Sequence, residues 1–178
     1  MLLNEIRHTH KRPISRDTEY GIDAGRYVGL HFNDETKSLL KQIASDESIP
    51  NVVPPDRLHT TLTYSKDNPV KGYSVSGKLQ EPICAKVDSF DIFPSQEGKN
   101  CLVMKLDCPE CVAKHQQARE MGASYDYDEY IPHITLSYDA GKITPERLDG
   151  WTQKYRGTEI YADEEYEEPL KDNWAKDL

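Results

Sequence analysis

No apolar run in this 178-residue chain approaches the roughly 18 residues that a bilayer core requires, so a membrane-spanning helix is not expected. The opening residues, MLLNEIRHTHKR, hold two leucines before turning polar, which fits neither the apolar centre of a secretory signal nor an anchor. A cytoplasmic protein is expected. Cysteine is scarce, at 4. Cys108-Pro-Glu-Cys111 is one CxxC, but structural zinc generally takes two such pairs or a CxxC with paired histidines, and Cys84 and Cys101 supply neither. Outside a secretory context the thiols are expected reduced, as buried or helix-start cysteines. Positive charge is short as well: 22 Lys and Arg face 31 Asp and Glu, for a net charge of −9. Binding along a nucleic-acid backbone draws on many cations that release counterions, so a long DNA or RNA partner is not expected, whereas a small anionic ligand is allowed. No Gly/Ser-rich linker divides the chain, and a single domain over 1–178 is expected, large enough to fold on apolar burial without a metal.

What charge there is sits unevenly. Residues 157–178 hold eight acids (Glu159, Asp163, Glu164, Glu165, Glu167, Glu168, Asp172, Asp177) against Lys171 and Lys176, so this segment carries −6 of the −9. It reads as a solvated acidic segment, although Ile160, Tyr161, Tyr166, Leu170 and Trp174 interrupt it and favour packing. At the other end, Arg7, Lys11, Arg12 and Arg16, with His8 and His10, read as a basic arm over 1–25.

Alternation in RYVGLHF, 26–32, predicts a half-buried strand with Val28, Leu30 and Phe32 on one face. A helix follows, capped by Asn33 or Asp34 and carrying Leu39, Leu40 and Ile43 at helical spacing. Pro50, Pro54 and Pro55 mark a loop before a strand at 57–64. Segments 83–93 and 100–106 read as a long hairpin, Pro109 opens a helix stopped by Gly122, 130–138 reads as a strand, and Thr144-Pro145-Glu146 starts a shorter helix. Few, segregated helices among neighbouring strands favour an α+β fold over a doubly wound parallel sheet.

One repeat stands out. Leu58-His59-Thr60-Thr61-Leu62-Thr63-Tyr64 and Pro132-His133-Ile134-Thr135-Leu136-Ser137-Tyr138 both read H-x-T-L-[TS]-Y, each on a predicted strand. Strict alternation would turn His59, Thr61 and Thr63 to one face and Leu62 and Tyr64 to the other, and likewise His133, Thr135 and Ser137 against Ile134, Leu136 and Tyr138. Two imidazoles and two hydroxyls suit phosphodiester cleavage. One His takes a proton from the attacking oxygen, the other gives one to the leaving oxygen, and Thr61 and Thr135 donate to non-bridging oxygens. No carboxylate pair or metal cluster accompanies the motif, so metal-independent chemistry without a cofactor is the simplest expectation. The competing readings are a pair of structural core histidines and a zinc site on both His, which lacks an evident third ligand.

These paired motifs resemble the 2H phosphoesterase superfamily. The resemblance covers most of the chain and implies two pseudo-symmetric antiparallel-sheet lobes with outer helices around a central cleft. It would assign catalysis to His59 and His133 and phosphate binding to Thr61 and Thr135. Three strings are most similar to phage anti-CBASS phosphodiesterases: Tyr27-Val28-Gly29-Leu30, the motif at His59 continued through Ser65, and the motif at His133 preceded by Tyr130-Ile131. That likeness implies cleavage of 3′–5′ linkages in a small cyclic di- or trinucleotide. It also implies ligand contacts: Tyr27 stacking on a base, Glu168 (or Glu167) accepting from a base edge, Trp174 stacking. Lys41 is a further candidate contact, and His31 and His115 read as structural. The same four motif residues would equally serve an RNA-end 2′,3′-cyclic phosphodiesterase or ligase, and a non-catalytic nucleotide-sequestering protein is the third reading. The sequence leaves the oligomeric state open.

Overall fold

The computed structural model describes residues 25–95 and 97–170. The alternating segment forms strand β1 (Arg26–Phe32). Asn33 then caps helix α1 (Asp34–Asp46), its side-chain oxygen accepting the Thr36 amide at 2.9 Å. The proline-rich loop tightens only into a short turn, Pro55–Arg57, before β2 (His59–Ser65). The hairpin is β3 (Gly77–Pro94) and β4 (Asn100–Asp107), and β3 begins earlier than the sequence suggests. Helix α2 (Pro109–Glu120), β5 (His133–Ser137), α3 (Pro145–Tyr155) and β6 (Glu159–Glu168) complete the order.

The six strands form one antiparallel sheet in the order β2-β1-β6-β3-β4-β5. The two expected lobes are the halves of this sheet, and its edge strands β2 and β5, which carry the two motifs, also touch each other. Val28, Leu30 and Phe32 join Leu40, Ile43, Leu62, Leu102, Met104, Ile134 and Ile160 in the core on one face. Helices lie on that face, α2 against β2 and α3 against β3. The α+β fold read from the sequence therefore stands.

Two expectations need correcting. The first is the acidic segment, which is not a solvated tail where the structure describes it: β6 lies between β1 and β3. Its acids are tolerated there because basic side chains meet them from both sides. Lys78 pairs with Asp163 at 2.8 Å, His31 with Glu164 at 2.8 Å, Lys114 with Glu165 at 2.7 Å, and Arg26 Nε donates to Glu167 at 2.7 Å. The second is the CxxC, where Cys108 and Cys111 are paired as a disulfide rather than standing as separate thiols. The helix start explains their proximity: Cys108 is the N-cap of α2, its sulfur accepts the Cys111 amide at 3.2 Å, and the two Cα atoms lie 5.3 Å apart. Cys84 and Cys101 take no part in a disulfide.

Glu47, just beyond α1, ties the first helix to the last. It accepts from Trp151 Nε1 at 2.8 Å, Lys154 Nζ at 2.6 Å and the Tyr155 hydroxyl at 2.6 Å. Hydrogen bonds from Lys154 and Tyr155 hold its carboxyl down from 4.5 to about 2. A carboxylate lower in the folded than in the unfolded chain adds stability that is complete above about pH 4.5 and lost as pH falls through about 2. Urea unfolding of Glu47→Gln against the parent is therefore expected to show a deficit at pH 6 that shrinks to nothing near pH 2. Parallel stability curves across that range would remove Glu47 from this role.

Candidate active site

In each half the motif strand pairs with the strand preceding it in the sheet, and the pairing breaks at the same place. Opposite β1, His59 faces His31, Thr60 faces Leu30 and Thr61 faces Gly29, but Thr63 faces Val28, so Leu62 is the extra residue of a bulge. Opposite β4, His133 faces Lys105, Ile134 faces Met104 and Thr135 faces Val103, but Ser137 faces Leu102, so Leu136 is extra. This corrects strict alternation beyond the Thr of each motif. Tyr64 opposes Tyr27 on the cleft face, while Thr63 and Ser137 turn towards the core-facing strand positions. The bulge carbonyls are claimed by the opposite half. His115 Nδ1 donates to Leu62 O at 2.7 Å, and the Val53 amide donates to Leu136 O at 2.9 Å. His115 thus has the structural role read from sequence, stacked at 4.1 Å on Tyr130, whose hydroxyl donates to Thr61 O at 2.7 Å.

Both motif histidines are anchored in the same way. His59 Nδ1 lies 2.8 Å from Arg57 O, and His133 Nδ1 lies 2.8 Å from Ile131 O, in each case the carbonyl two residues upstream. A carbonyl only accepts, so Nδ1 carries the proton in both rings, and Nε2 is left as the atom that gains or loses one. Both Nε2 atoms, and Thr135 Oγ1, are buried with no hydrogen-bond partner among the described residues. Burial pushes both imidazoles below 6.5, His133 to about 4, against the opposing pull of the carbonyl each ring holds. The Thr60 and Thr63 hydroxyls also lack such a partner, at positions opposite Leu30 and Val28, so the two Nε2 atoms are distinguished by their matched placement in the two halves.

Thr61 is placed from beside. Its hydroxyl lies 2.8 Å from that of Tyr27, and the Tyr27 hydroxyl also bonds to that of Tyr166. Either hydroxyl of the Tyr27–Thr61 pair can be the donor, and the contact fixes where the Thr61 hydroxyl sits. Gly29 makes room for this: a Cβ there would stand 2.8 Å from the Tyr166 hydroxyl, so only glycine lets that ring lie across β1. Tyr27 lies on the expected face, yet it is fully buried, with His59 and Tyr64 edge-on to its ring, so it supports Thr61 instead of offering an open stacking surface.

The other candidates divide. Glu168 opposes Tyr27 and shares its face, while Glu167 opposes Val28 and pairs with Arg26. Lys41 is exposed on α1, whose buried face packs on the core side of the sheet, and it does not join the site. Trp174 and the basic arm with His8 and His10 lie outside the described residues. Sequence reasoning missed Tyr166 and Glu164, hidden in the acidic run, and Lys105, whose place opposite His133 no local pattern reveals. His31, read from sequence as structural, lies opposite His59 across the strands, stacked at 3.8 Å on Tyr166 and 2.8 Å from Glu164. Among the described residues, no three His, Cys, Asp or Glu side chains are grouped to hold a metal ion, and no helix is long and apolar enough to cross a membrane.

Known proteins place the chain. It is 36% identical over 157 residues to anti-CBASS protein Acb1 of Salmonella phage S16, covering 88% of this chain and 95% of that one. The same protein of Enterobacteria phage T4 gives 36% over the same shares, and that of Vibrio phage KVP40 gives 32% over 85% and 91%. Among solved structures, TT0787 of Thermus thermophilus shares the fold, with a TM-score of 0.51 at 17% identity over 80% of this chain and 83% of that one. The model of the family described as anti-CBASS protein Acb1 matches residues 24–177, carrying both motif strands and β6, and to that family the chain belongs.

Proposed function

We propose that the chain is a metal-independent phosphodiesterase that cleaves 3′–5′ linkages of cyclic di- and trinucleotides, the antiviral signals of bacterial CBASS immunity, in the host cytoplasm on behalf of a phage. The observation that carries this reading is the matched pair of imidazoles, each fixed at Nδ1 by an upstream carbonyl and each with Nε2 lacking a partner among the described residues. One Nε2 accepts the proton of the attacking oxygen as the other, protonated, supplies one to the leaving oxygen. Thr61 and Thr135 donate to the non-bridging oxygens, where charge builds as the phosphorus becomes five-coordinate. The family's name supports a cyclic-nucleotide target. Glu168 on the cleft face accepts from a base edge, and Trp174 is assigned to stacking.

Purified protein in excess EDTA is expected to convert 3′,3′-cyclic GMP-AMP to linear product, followed by chromatography. Opening of 2′,3′-cyclic nucleotides with no turnover of any cyclic di- or trinucleotide would replace this reading with an RNA-end activity. Tight binding without turnover of either class would make the chain a sequestering protein.

A further inference from the structure

The motifs bring imidazoles and hydroxyls to the cleft, but no standing positive charge, while every phosphodiester linkage carries a full negative one. Register supplies the missing group. Lys105 on β4 is directly opposite His133 and therefore shares its face. Its ammonium lies 2.7 Å from Asp91 Oδ2 and 5.8 Å from the centre of the Phe93 ring. Phe93 in turn meets the His133 ring edge-on at 5.3 Å, so the lysine, the ring and the histidine form one group. The corresponding position in the other half, opposite His59, is His31, paired with Glu164 and stacked on Tyr166. The two halves are thus alike in the motif and unlike at the position opposite its histidine, with lysine in one and histidine in the other.

The fold gives little reason for Lys105. Its side chain is 25% exposed and that of Asp91 is 43% exposed, and an ion pair so open to water contributes about 0–1 kcal/mol. A lysine held in place by a carboxylate and a ring, beside a buried histidine, is instead arranged to meet an anion that arrives from solvent. We propose that Lys105 is the phosphate-holding residue of the cleft, with Asp91 and Phe93 as its positioning residues, and that it sets the orientation of a phosphodiester between the two motif histidines. The proposal deepens the phosphodiesterase reading and rests on it.

The test compares Lys105→Met, Lys105→Arg and Lys78→Met, the last removing a surface cation that is 72% exposed. For 3′,3′-cyclic GMP-AMP, Lys105→Met is expected to raise KM at least about tenfold, the scale of one lost charge-assisted contact, with a smaller change in kcat. The same variant should flatten the dependence of kcat/KM on ionic strength, because a substrate-facing charge is gone. Lys105→Arg restores most of the affinity, and Lys78→Met leaves KM at the parent value. Direct binding of 3′-AMP, followed by calorimetry, should weaken in Lys105→Met to a similar extent. Unchanged KM, 3′-AMP affinity and salt dependence in Lys105→Met overturn the proposal, whatever its melting temperature. A parent that opens only 2′,3′-cyclic nucleotides defeats the cyclic-dinucleotide reading, and the KM of Lys105→Met on that substrate, with the 3′-AMP affinity, then decides the role of Lys105 separately.

Discussion

His59→Ala and His133→Ala are each expected to lower turnover of 3′,3′-cyclic GMP-AMP by at least about 100-fold, with substrate binding retained. The loss follows from geometry: each ring offers one exchangeable nitrogen to the cleft, the other being committed to Arg57 O or Ile131 O. Neither ring can substitute for its partner, because one must begin neutral and the other protonated. In the free protein burial disfavours the charged form of both, and His133 is brought to about 4 by burial together with the smaller effects of His59 and Lys105. A bound phosphodiester anion acts in the opposite sense, favouring an imidazolium between its oxygens. The profile of kcat, which reports the complex, is therefore expected to lie at higher pH than that of kcat/KM, which reports the free protein. Coincident profiles would mean that the anion does not sit against either ring, and a normal rate in either alanine variant would end the two-histidine mechanism.

How much of this was legible beforehand depends on whether the determining interaction was local. The two motifs were, because H-x-T-L-[TS]-Y repeats itself and a repeat needs no tertiary information. Strand β1 and the Asn33 and Thr144 caps were also local, set by alternation and by side chains bonding amides three residues on. The bulges at Leu62 and Leu136 were not. They show only when the partner strand is known, and they move Tyr64, Thr63 and Ser137 to faces that simple alternation denies them. Strand β6 was obscured for a different reason: only Ile160 and Ala162 mark its buried face before the acids begin. What makes those acids acceptable in mid-sheet are Arg26, His31, Lys78 and Lys114, drawn from β1, β3 and α2, all remote in sequence. Tyr27 was placed on the right face, but its burial depends on Tyr64 and Tyr166 closing around it.

Lys114→Met is expected to destabilise the fold by about 3 kcal/mol, more than any other single replacement of a paired charge here. Glu165, its partner, opposes Leu30 and so stands on the core face of β6, with its side chain 0% exposed. The carboxylate is held by Lys114 at 2.7 Å, by the Tyr73 hydroxyl at 3.2 Å and by the Ser76 amide at 3.3 Å. Removing the lysine leaves a buried charge with two neutral donors, which is the costly way to break such a pair. For a chain of this size the loss corresponds to a melting temperature lower by roughly 9 °C. Lys114→Met combined with Glu165→Gln should recover most of it, since the amide oxygen still accepts from Tyr73 and Ser76 without a charge to compensate. A loss below about 1 kcal/mol in the single variant, or no recovery in the double, would show that β6 does not depend on this pair. The consequence reaches the cleft through strand alternation: the neighbours of Glu165 are Glu164, which holds His31, and Tyr166, which bonds to Tyr27 beside Thr61. Loosening β6 at its core face therefore releases the half-site around His59 before the one around His133, and Lys114→Met should lower kcat at temperatures where the sheet is still intact by circular dichroism.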